Sequence, residues 1–116
     1  MIAPRGWKGI VDDLLGQIDE ALPVGWTIEV EEVKAKYGSL RFYYQLHGPA
    51  DAAMRRLINA RLDALVQAAE DRSEVTCHLC GAPIARPSPA PGEFGRRVTV
   101  CESCRVAYDM HGMRMP

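Results

Sequence analysis

Trp7, Ile10, Val11, Leu14, Leu15, Ile18, Ala21 and Leu22 recur at the spacing of one helix face, while Asp12, Asp13, Asp19 and Glu20 take much of the other side. This pattern predicts an amphipathic helix of about four turns, stopped by Pro23 and Gly25. The period then drops to two. Trp26, Ile28 and Val30 alternate with Thr27, Glu29 and Glu31, and after Glu31-Glu32 the parity flips, making Val33, Ala35 and Tyr37 the inward set. One extra residue in a strand has this effect, so a β-bulge is expected at Glu31-Glu32. Leu40, Phe42, Tyr44 and Leu46 form the inward set of a second strand. Gly38-Ser39 lies between the two, with glycine first, as a two-residue type II′ hairpin loop requires. That loop sets Tyr37 opposite Leu40, Lys36 opposite Arg41, Ala35 opposite Phe42, Lys34 opposite Tyr43 and Val33 opposite Tyr44, so inward residues meet inward residues.

A second helix is expected from about Ala50 to Asp71, with Met54, Leu57, Ile58, Leu62, Leu65, Val66 and Ala69 as its apolar stripe. Pro49 suits its first turn. A lone hairpin is marginal in water, and two amphipathic helices on its apolar face make a small layered unit. The fold class is therefore α+β: a helix–β-hairpin–helix domain over 1–73, followed by a zinc-ribbon-like module with a flexible tail over 74–116. In that module, residues 86–92 read as a proline-rich loop, Arg96 to Val100 as a strand, and Glu102 to Met110 as a short helix. Met110 to Pro116 reads as a frayed terminus.

The module rests on four cysteines. Cys77-x-x-Cys80 and Cys101-x-x-Cys104 are separated by twenty residues, and two such pairs can wrap one tetrahedral Zn²⁺. Gly81 suits the turn after the first pair. The competing reading is a pair of disulfides, which belong to oxidising compartments. The first residues have no signal-peptide core, and no apolar run reaches the roughly 18–20 residues of a membrane helix, so a cytoplasmic setting and zinc are preferred. One structural zinc per chain is expected. Four thiolates fill its coordination and leave no open position for water or substrate. His78 and His111 are weaker ligand candidates. The His-x-Glu that a zinc deaminase needs upstream of its cysteines is absent.

Composition narrows the function classes further. The chain has 116 residues, 47% hydrophobic and 25% charged, with a net charge of −1, so no global field draws it to nucleic acid or membrane. Arg86, Arg96, Arg97 and Arg105 are available to offset a metal site of formal charge −2. No nucleophile–base pair, phosphate loop or paired-carboxylate arrangement stands out, so an enzyme and a small-molecule substrate are not expected. The candidate partner-binding face is the outer side of the hairpin: Lys34, Lys36, Arg41 and Tyr43. A like-charge cross-strand pair there costs stability unless acidic neighbours or a partner neutralise it. Glu29, Glu31 and Glu32 lie close enough in sequence to serve.

The segment Val33-Lys34-Ala35-Lys36-Tyr37-Gly38-Ser39-Leu40-Arg41-Phe42-Tyr43-Tyr44 resembles a signature of small uncharacterised proteins of bacteria and tailed phages. In these, a lysine-rich strand, Tyr or Phe, Gly, a small residue and Leu-Arg-Phe-Tyr precede a helix and two Cys-x-x-Cys pairs. The likeness covers about residues 7–110. It implies a phage or prophage setting inside the bacterial host and brings no established activity. The expected function is a small zinc-stabilised protein-interaction module, in its most specific form an inhibitor of a bacterial defence complex of the anti-CRISPR kind. A nucleic-acid-binding accessory protein using the hairpin face and the zinc module is the alternative.

Overall fold

The computed structural model describes residues 4–36, 38–84, 89–91 and 97–104. A single 3-10 turn, Arg5–Trp7, leads into α1 (Lys8–Ala21). Strands β1 (Thr27–Lys36) and β2 (Ser39–His47) form an antiparallel hairpin, and α2 (Ala52–Ser73) follows. Further on, β3 (Pro89–Pro91) pairs antiparallel with β4 (Arg97–Thr99). The molecule is α+β, with two helices packed on a two-stranded hairpin and a cysteine-bearing ribbon at its C-terminal end.

The two helices pack together, and α2 also packs on β2. Trp7, Ile10, Leu14 and Ile18 of the first helical segment meet Ile58, Leu62 and Val66 of α2 and Trp26, Val33, Leu40, Phe42 and Leu46 of the hairpin, all buried in one core. The bulge falls where the parity flips: Val30 faces Tyr44, Glu32 faces Tyr43, and Glu31 is the extra residue.

The hairpin register differs from the expected one by two residues. Lys36 faces Ser39, Ala35 faces Leu40, Lys34 faces Arg41 and Val33 faces Phe42. Gly38 is left-handed, with φ of 77°, and takes the second turn position instead of the first. Two contacts hold this arrangement. Leu40 donates its N–H to Ser73 Oγ at 2.8 Å, and the Gly38 carbonyl accepts the Thr99 hydroxyl. Because the strand period is two, the shift preserves which residues face the core. It replaces the Lys36–Arg41 cross-strand pair with Lys34–Arg41.

Other corrections are local. Ala35 is exposed, since it lies past the last core residue of β1. Met54 and Leu57 are exposed as well, and full burial along α2 begins at Ile58. The helix is capped by the Asp51 carboxylate, which accepts the Met54 N–H at 3.0 Å, so Pro49 precedes the cap instead of occupying the first turn. Part of the proline-rich loop, Pro89–Pro91, is a strand. Tyr37, the rest of the loop, Arg86, Arg96 and residues 105–116, with Arg105 and His111 among them, lie outside the described residues. Among the described residues, no helix is long and apolar enough to cross a membrane.

Candidate metal centre

The first cysteine pair sits in a tight ribbon just after α2. Thr76 bridges Pro83, Cys77 N–H donates to the Ala82 carbonyl at 2.8 Å, and Ile84 N–H donates to the Val75 carbonyl at 2.7 Å. Gly81 closes the turn with φ of 83° and donates its N–H to the Cys77 carbonyl at 2.9 Å. A side chain there would be strained, which is why glycine follows Cys80. The second pair follows β4: Val100 is buried beneath it, and residues 102–104 are helical. His78 N–H donates to the Thr99 carbonyl at 2.8 Å and joins the two halves.

This framework brings together Cys77, Cys80, Cys101 and Cys104, whose sulfur atoms all lie within 4.8 Å of one another. Cys80 Sγ and Cys101 Sγ are 3.7 Å apart. A tetrahedron with metal–sulfur bonds of about 2.3 Å has edges of about 3.8 Å. A disulfide bond is about 2.05 Å. All four cysteines are free thiols. The donor set and its spacing therefore fit one metal ion, and a closed set of four soft thiolates suits Zn²⁺ or an iron site.

The site's electrostatics favour an anion at its inner wall. Burial raises the Cys77 thiol, but the backbone N–H groups of Cys101, Cys80 and Leu79 converge on its sulfur, with the Cys104 thiol beside them, and hold it below its ordinary value. Cys104 goes the other way. Burial raises it first, and its three sulfur neighbours raise it further. One thiolate forms readily and the next is resisted by it, the situation a divalent cation reverses. The Ala82 N–H points at Cys80 Sγ from 3.4 Å.

His78 is not part of the sulfur cluster. The residue is 1% exposed, both ring nitrogens lack a hydrogen-bond partner, and its ring meets that of Trp7 in a T-shaped contact at 5.8 Å between centroids. Desolvation pushes its pKa down, so it stays neutral, as a packing residue.

The metal ribbon is fastened to the layer at two places. Gly6 N–H donates to the His78 carbonyl at 2.8 Å, and Trp7 Nε1 donates to the Thr76 carbonyl at 2.9 Å. The Thr99 hydroxyl reaches the hairpin tip at Gly38. These anchors were not visible as a pattern in the sequence. Gly6 and Thr99 are isolated residues, and each partner lies more than sixty positions away.

The hairpin's outer face is largely balanced within the chain. Lys34 Nζ lies 3.3 Å from Glu32 and 5.8 Å from the Tyr43 ring centre. Arg41 reaches across to Glu70 of α2 at 3.5 Å. Lys36 is exposed, and Tyr43 is 43% exposed. Of the acidic neighbours expected to help, Glu29 contacts His47 and Glu31 contacts Gln45.

Compared with known proteins, the chain matches no family model, no curated protein and no solved structure.

Proposed function

We propose that this is a zinc-stabilised protein-interaction module and not an enzyme. The convergence of four cysteine sulfurs within 4.8 Å carries the reading. Zinc supplies cross-linking of the two cysteine pairs; the four thiolates complete its coordination and leave no site for substrate. The protein's own residues do the rest: Gly6, Trp7 and Thr99 tie the ribbon to the helices and to the hairpin tip. The face offered to a partner is Lys34, Lys36, Arg41 and Tyr43. The hairpin resemblance supplies the setting, a bacterial or phage protein acting on another protein, with inhibition of a defence complex as its most specific form.

Elemental analysis of freshly purified protein tests the metal. One zinc per chain is expected; a metal-free chain carrying two disulfides would overturn the reading. Lys36→Ser with Tyr43→Ser tests the face. These exposed changes should leave stability within about 1 kcal/mol and remove binding to the partner captured by the native chain. Undiminished capture would move the site elsewhere.

A further inference from the structure

The two edges of the hairpin are covered differently. Leu40 sends its N–H away from β1 to Ser73, so by strand alternation the backbone groups of Phe42, Tyr44 and Leu46 also point out of the sheet on that side. Side chains of α2 cover this edge: Arg55 donates to the Leu46 carbonyl at 2.6 Å, and the Glu70 carboxylate accepts from the Phe42 N–H. The far edge belongs to β1. Among the described residues, no strand joins it. Ala35 is opposite Leu40 and Val30 is opposite Tyr44, so both present their backbone groups outward on the far edge.

This edge strand is ten residues long, and its charges are sorted by sign. Glu29, Glu31 and Glu32 occupy its first part, and Lys34 and Lys36 its last. A second β1 running antiparallel, with Val30 opposite Ala35, sets Glu29 opposite Lys36 and Glu31 opposite Lys34. A two-fold axis repeats both pairs. The bulge makes the register available. Val30 and Ala35 are an odd number of positions apart and would show opposite edges in a regular strand, but Glu31 shifts the parity between them. A groove of about 380 Å³ runs beside the same edge, with Leu15, Leu22, Trp26 and Ile28 as well as Asp19 and Thr27 in its lining. A strand added there would roof it.

We propose that β1 pairs with β1 of a second copy of this chain, joining two hairpins into one four-stranded sheet. The inference rests on the interaction reading for the role of Lys34 and Lys36, and names a second copy as what meets them.

Sedimentation velocity of the full purified chain, over a range of protein and salt concentrations, tests the pairing. The native chain should self-associate, less so at high salt. Glu29→Lys with Glu31→Lys should weaken self-association about tenfold or more, and so should Lys34→Glu with Lys36→Glu, because each sets like charges opposite one another at both cross-strand pairs. An equimolar mixture of the two variants should associate again, since each supplies the sign the other lacks. Ala35→Pro removes an edge N–H that the hairpin does not use, and should abolish association while circular dichroism stays native. It decides the matter if a charge variant fails to fold. A native chain that stays monomeric at about 100 μM, variants that associate as the native does, or a folded mixture that stays monomeric would each overturn the proposal. A monomeric native chain that still captures a different protein through Lys36 and Tyr43 would overturn the self-pairing alone and leave the interaction reading standing.

Discussion

Gly6 has no room for a side chain. A Cβ there would fall 2.2 Å from the Cys77 carbonyl oxygen, against the wall of the metal ribbon. Gly6→Ala is therefore expected to push the ribbon off the 3-10 turn ahead of α1, costing about 1–3 kcal/mol as overpacking does and speeding transfer of the metal to a chelator. Release at the native rate would show that this contact does not hold the ribbon. Glu70 makes a different point about single residues. Burial raises its carboxyl above the ordinary value, and Arg41 at 3.5 Å only partly offsets this. An acid raised in the folded state binds its proton more tightly there than in the unfolded chain. Its contribution to stability thus falls as pH rises from about 4.3 through the raised value. Glu70→Gln should then leave stability at neutral pH unchanged within about 1 kcal/mol, despite the lost ion pair, and flatten the pH dependence in that window. Urea titrations at several pH values measure this; a large loss at neutral pH would make the ion pair a net stabiliser.

At the scale of elements, periodicity was a reliable guide where burial followed it. The spacing of Ile10, Leu14 and Ile18 marks a helix because one face must meet the core, and those residues are buried. The bulge was legible for the same reason: Val30 and Val33 both turn inward, and only an extra residue allows it. Register was not legible. Shifts of two residues leave the inward and outward sets unchanged, so the hydrophobic pattern is blind to them. The choice was made by Ser73 and Thr99, which grip Leu40 and Gly38 from distant parts of the chain. Leu57 misled because it is apolar yet lies on the side of α2 turned away from the buried Ile58, Leu62 and Val66, and it is 69% exposed. Leu40 sits where the hairpin, α2 and the tip contact converge, with no exposure at all. Leu40→Ala should cost about 2–5 kcal/mol, whereas Leu57→Ala should cost less than about 1 kcal/mol. Equal effects in chemical denaturation would mean that the core is not where the buried residues place it.

On the scale of the whole molecule, the cysteine pattern disclosed the four-cysteine cluster but not how its ribbon is attached. Cys-x-x-Cys spacing is a local constraint imposed by the turn around a metal. The docking of the ribbon on Gly6, Trp7 and Gly38 is a tertiary choice with no local signature. This attachment makes the metal more than a staple for its own ligands, because removing it should loosen the first turn of the N-terminal helical segment and the hairpin tip as well. The most direct test is amide hydrogen exchange of the purified chain before and after its metal is stripped by a chelator under reducing conditions. Protection should fall at Cys77, His78 and Gly81 and also at Gly6, while the amides around Leu62 in the middle of α2 stay protected. Unchanged protection at Cys77 and Gly6 after the metal is gone would contradict the claim that a metal held by four cysteines fastens this fold together.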